Sequence, residues 1–147
     1  MAFYKTRERR RMSFSLNEVH MTLRKALCGR GLAFGVADDF GAVGARLSSG
    51  TTADGIKAVL ALNNDALLAL LYRVETSLGA NEDAKLESEL ERRLADQLLG
   101  QPFPRDRACA ISAESWQQAL DLSHLTYVPE SEESRLAGAG AGTNDND

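Results

Sequence analysis

Apolar residues recur at intervals of three and four along most of this chain, and glycine, asparagine and proline cut the repeats into short lengths. That spacing places one buried stripe on each of several consecutive helices, and it leaves little room for strands, whose side chains alternate by twos. The first stripe is Leu16, Val19, Leu23 and Leu27. Its start is written in Phe14-Ser15-Leu16-Asn17-Glu18-Val19. Ser15 caps the free amides, Glu18 is placed as its capping-box partner, and Phe14 is placed to staple onto Val19. Gly29 or Gly31 lets the chain turn out of the helix, so helix one is expected to end near Cys28.

A second stripe, Val36, Phe40, Val43 and Leu47, runs through the segment Leu32 to Leu47, with Ala37, Gly41 and Ala45 on an adjoining strip. Glycine inside a helix costs up to about 1 kcal/mol relative to alanine, so Gly41 and Gly44 require compensation. Close approach of a neighbouring backbone is the simplest form of it, and a ligand seated against the glycines is the sharper one. Thr51 with Asp54 starts a third helix carrying Ile56, Val59 and Leu60, which Asn63-Asn64-Asp65 interrupts. Leu67, Leu68, Leu70, Leu71 and Val74 follow, apolar on more than one face, which predicts the most deeply buried helix. After Gly79, Asn81 is read as the cap of a charged amphipathic helix with the stripe Leu86, Leu90, Leu94 and Leu98.

Gly100, Pro102 and Pro104 end this run in a stiff connector. Ala108 to Ile111 reads as a short extended segment, and Ser112 with Glu114 opens a last helix in which Trp116, Ala119, Leu120 and Ser123 share a face. The chain has 147 residues, enough for one domain with a real core. With aromatics at 6% and a single Trp, helices packed on Leu and Ala are favoured over a sheet of large flat side chains. The expected fold is therefore mainly α: a compact multi-helix bundle with at most one or two short strands near its C-terminal part. Residues 1–12 read as a basic flexible arm, 13–128 as the helical domain, and 129–147 as a Gly/Ala-rich acidic tail.

Charge separates these parts. Residues 1–11 hold Lys5, Arg7, Arg9, Arg10 and Arg11 against Glu8, whereas the chain as a whole carries a formal net charge of -4. A pI near 5.2 argues against nucleic acid as the general partner, leaving only the arm for contact with phosphates. No apolar run approaches the roughly 20 residues of a membrane span, and none follows the arginines as a signal peptide requires. The expectation is cytoplasmic residence, where Cys28 and Cys109 stay reduced.

No catalytic constellation stands out. His20 and His124 are the two imidazoles, one beside the first stripe and one near the end of the last helix, where His commonly meets the final carbonyls. Neither cysteine has a partner at zinc spacing, so no metal or other cofactor is assigned. Asp38 and Asp39 would point about 100 degrees apart on a helix, so at most one of them faces any shared site. The tail carries the strongest candidates. Gly138, Gly140 and Gly142 alternate with alanine and expose backbone amides suited to an anion, with Ser131, Ser134 and Arg135 as further donors. Asp145 and Asp147 close the tail, where a flexible polar linker is the plain alternative.

Three segments together carry a family resemblance: Ser13 to Glu18, Gly35-Val36-Ala37-Asp38-Asp39-Phe40-Gly41, and Tyr127 to Asp147 with its Gly-Ala run. They resemble an uncharacterised bacterial family, domain of unknown function 3726, over about residues 13–50 and 108–147. The resemblance implies a bacterial cytoplasmic protein and brings no reaction with it. Two readings follow. The first is a non-enzymatic helical interaction module or accessory subunit that docks onto a protein partner through its tail. The second is a small-molecule or anion-binding protein, possible as an enzyme, with Arg135 and the Gly/Ala-rich segment as a ligand clamp. Oligomeric state is left open by both.

Overall fold

The computed structural model describes residues 11–49, 53–99 and 108–126. Its elements are β1 (Arg11–Phe14), α1 (Leu16–Gly29), α2 (Phe34–Ser48), α3 (Gly55–Leu60), α4 (Asn64–Ala80), α5 (Glu89–Leu98), β2 (Cys109–Ser112) and α6 (Ala113–His124). The fold is mainly helical with one small antiparallel sheet, as the spacing predicts.

Local capping chemistry sets most helix starts. The side chain of Ser15 accepts from Glu18 N, Asp54 from Lys57 N, Asn63 from Ala66 N and Ser112 from Ser115 N. Each such cap contributes about 1 kcal/mol by satisfying an amide that has no partner inside its own helix. Asn81 does not cap the start of a helix, as its sequence context suggests. This residue adopts a left-handed conformation with φ of 52° and closes α4, as a C-terminal cap does. Residues 82–87 are not helical, and Ser88 is the residue that opens α5. Leu86 therefore packs on the core from outside the helix.

The sheet joins the two ends of the described chain. β1 pairs with β2 in the register Arg11 to Ser112, Met12 to Ile111, Ser13 to Ala110 and Phe14 to Cys109. One strand is thus the expected C-terminal one, while its partner lies at the N-terminal end and begins at Arg11, inside the segment read as a flexible arm. Phe14 stacks on Trp116 with ring centroids 3.8 Å apart, so it fastens β1 to α6. Cys109 also bridges to Ser49 at the end of α2.

The core is centred on α2, which packs on α1, α3 and α5, while α1 packs on α6 as well. Ala37, Phe40, Gly41, Val43, Gly44, Ala45, Leu47 and Ser48 are all buried. The compensation for glycine in α2 is close backbone approach. A methyl group at Gly41 would lie 2.9 Å from the His20 carbonyl oxygen, and one at Gly44 would collide with Leu23. Gly55 meets the Gly44 carbonyl from α3 in the same way, and Gly29 meets the Leu122 carbonyl where α1 and α6 cross.

α4 is not the most deeply buried helix, contrary to its leucine content. Leu67, Leu70 and Val74 are buried, but Leu68, Tyr72 and Leu78 are 44%, 70% and 62% exposed. Its principal neighbour is α5 alone, so only one of its apolar faces is covered.

Candidate functional site

The tail residues singled out above, Ser131, Ser134, Arg135, Gly138, Gly140, Gly142, Asp145 and Asp147, lie outside the described residues. The geometry therefore concerns the helical body, where four polar clusters hold most of the ionisable side chains that bridge elements.

His20, Arg24 and Asp38 form the cluster richest in chemistry. His20 and Arg24 lie four residues apart on α1 and so share a face, and α2 presents Asp38 to both. His20 Nε2 lies 2.9 Å from Asp38 Oδ1 and 3.2 Å from the Asp38 carbonyl oxygen. Both neighbours are acceptors, so Nε2 carries the proton and donates. Arg24 Nη1 donates to the same carboxylate oxygen at 3.3 Å, and its guanidinium sits 4.8 Å from the centre of the Phe34 ring. Asp38 alone of the two adjacent acids faces this cluster, while Asp39 is exposed. The arrangement turns an aspartate into a clamp between α1 and α2, at the level where Gly41 brings the two backbones together.

Asp54 does similar work between α3 and α6. One carboxylate oxygen accepts from Lys57 N at 3.0 Å; the other accepts from the Ser112 hydroxyl at 2.9 Å and from Ser112 N at 3.3 Å. With the Ser112 proton given to the carboxylate, the 2.9 Å contact between the Ser112 and Ser115 hydroxyls is donated by Ser115. One carboxylate thereby caps a helix and orients the cap of another.

Arg30 fixes the end of α1 to the turn between α3 and α4. It donates to Leu62 O at 2.7 Å and to Asn64 Oδ1 at 3.1 Å, and Asn64 returns a bond to Arg30 O at 2.7 Å. Burial pushes the Arg30 pKa down from its usual value. Arg73 on α4 forks onto Glu91 on α5 at 3.2 and 3.4 Å and reaches Lys85 O at 3.2 Å. Glu91 also accepts from Glu87 N at 2.9 Å. That backbone bond, followed by the Arg73 guanidinium, holds the Glu91 carboxyl below the usual carboxylate range against the opposing effect of burial.

Cys109 is not set up for nucleophilic work. It is buried, its sulfur lies 3.7 Å from Ala45 O, and burial pushes its thiol pKa up, away from the reactive thiolate. Cys28 is half-buried. Among the described residues no group of three or more His, Cys, Asp or Glu side chains is placed to hold a metal ion, and no helix is long and apolar enough to cross a membrane.

Helical geometry allows at most one of Asp38 and Asp39 to face a shared site without saying that either does, and the cross-helix partners His20 and Arg24 are missing from the sequence expectations. Their signal was present in the i to i+4 spacing on α1. The Asp54 knot was half visible, since both Asp54 and Ser112 are cap residues, yet their meeting depends on how α3 and α6 pack. Compared with protein-family models, with curated proteins and with solved structures, the chain matches none.

Proposed function

We propose that this protein is a non-enzymatic helical interaction module or accessory subunit that docks onto a protein partner through residues 129–147. Cytoplasmic residence in a bacterium is part of the same proposal, resting on the resemblance of its terminal segments to domain of unknown function 3726. The observation that carries it is how the polar groups of the body are used: His20, Asp38, Asp54, Arg30, Arg73 and Glu91 each bind one element to another. Groups committed in this way favour a rigid platform over a reactive centre. The exposed Leu68, Tyr72 and Leu78 on α4 add apolar surface of the kind partners bury.

The test compares the full chain with a version ending at Val128, each used as bait in extract from a bacterium encoding it. Both should melt at the same temperature, and only the full chain should retain a stoichiometric partner. Equal retention by the shortened chain would overturn tail docking. A metabolite or anion that raises the melting temperature of the full chain but not of Arg135→Ala would replace this proposal with the ligand-clamp reading.

A further inference from the structure

Leu78 near the end of α4 and Leu99 just past α5 are 62% and 51% exposed, yet neither stands alone. Both line a groove of about 410 Å³ formed by α4, residues 82–86 and α5, with Val74, Leu86 and Ala95 adding apolar lining. Polar bonds fix its walls. Asn81 turns the chain out of α4 in its left-handed conformation, and Glu82 N donates to Ser77 O at 3.0 Å. Arg73 then holds the returning stretch through Lys85 O and holds α5 through Glu91. A groove fixed in this way needs little ordering when something enters it.

Charge selects the occupant. Glu82 and Asp83 line the groove from the connecting stretch and Asp96 lines it from α5, against one cation, Arg92. None of the three acids belongs to an ion pair among the described residues. Two copies meeting here would bring the same acids together, and like charges set face to face disfavour a partner. An amphipathic helix with basic flanks is the complement: its apolar stripe meets an apolar floor, and its cations meet acids that come from two elements.

We propose that this groove binds a basic amphipathic helix of another protein, with the apolar side chains of that helix on Leu78, Leu86 and Leu99 and its lysines or arginines beside Glu82, Asp83 and Asp96. The site is distinct from residues 129–147, so it neither rests on tail docking nor falls with it. Apolar contact supplies the affinity, and the acidic rim supplies selection for basic partners together with a dependence on salt.

The experiment titrates the full chain into a fluorescein-labelled peptide of about 14 residues, ~21 Å long as a helix, with leucine at helical spacing and lysine elsewhere, and follows anisotropy. A second peptide carries glutamate in place of each lysine. The lysine peptide should bind saturably, one per chain, and more weakly as salt is raised. Asp83→Lys with Asp96→Lys should weaken it about tenfold and tighten the glutamate peptide. Leu78→Ala with Leu99→Ala should also weaken the lysine peptide about tenfold, whereas Leu68→Ala with Tyr72→Ala, outside the groove, should change it less than about twofold. All of these positions are exposed, and an unchanged circular dichroism spectrum will show that the fold is kept. Absence of saturable binding, binding indifferent to either groove pair, or an equal loss in the Leu68 and Tyr72 pair would each overturn the proposal. So would a dimer in sedimentation that Leu78→Ala with Leu99→Ala dissolves, which would give the groove to a second copy of the chain.

Discussion

α2 and α4 are similar in length and both rich in apolar residues, yet they occupy opposite extremes of this fold. α2 is walled in by three helices, and its interior glycines, Gly41 and Gly44, unlike Gly35 in its first turn, are positions where neighbouring helices come close. α4 leans mainly on α5, leaves Leu68, Tyr72 and Leu78 in solvent, and has a glycine, Gly79, with no atom within 4 Å of the place a methyl group would take. Small residues at helical spacing thus mark the centre of this protein better than large ones do. A leucine says only that burial is favourable, whereas an interior glycine says that something else already occupies the space.

The widest gap between the two helices should appear on truncating one ring from each. Phe40→Ala, at a fully buried position of α2, should lower stability by about 4 kcal/mol in urea titration, and Tyr72→Ala on α4 by less than about 0.5 kcal/mol. A comparable loss at Tyr72 would mean that its face is covered in solution. Next comes Gly55→Ala, which sets a methyl group against the Gly44 carbonyl and should cost about 3 kcal/mol by forcing α3 off α2. The same glycine-to-alanine change at Gly79 should have the opposite sign, raising stability by about 0.5 kcal/mol. If both substitutions moved the melting temperature the same way, the contrast between the helices would fail.

A smaller effect tests the link between α4 and α5. The Glu91 carboxyl is held below its ordinary value in the folded state, so folding favours its ionised form. The stability it contributes is fully present above the unfolded carboxylate value of about 4.3 and is lost as pH falls through the lower folded value. Urea midpoints measured between neutral and acidic pH should decline less steeply for Glu91→Gln than for the unaltered chain. Parallel pH curves would remove Glu91 from the account of what holds α4 in place.

What the sequence revealed and what it concealed divide along the same physical line. Ser15, Asp54, Asn63 and Ser112 all act within three residues of themselves; Ser15 and Ser112 are legible as caps, whereas the sequence ties Asp54 to Thr51 as a helix start and shows Asn63 only as part of an interruption. β1 is not legible, because Arg11 to Phe14 owes its extended form to a partner far along the chain and carries arginine where the eye expects a loose end. From sequence Asn81 suits either end of a helix; its left-handed conformation decides for the end. Composition places α4 too deep because it counts apolar residues without counting the neighbours available to cover them. As for the candidate site, helical geometry separates Asp38 from Asp39 by about 100 degrees, whereas the choice of Asp38 and its pairing with His20 and Arg24 require the crossing of α1 and α2. The tail residues from Ser131 to Asp147 fall outside the described part, so their assignment continues to rest on composition and resemblance.

The pairing of β1 with β2 has a consequence for the order in which the molecule is made. A strand emerging early from the ribosome must wait for a partner roughly a hundred residues later, while α1, α2 and α3 can already collapse around Phe40 and Leu23. The sheet, the Phe14 and Trp116 stack and the docking of α6 on α1 are then late events, closed together once Ser112 is available. Loss of Trp116 packing should consequently track the non-local half of folding, giving a single indole that times the final closure of the body.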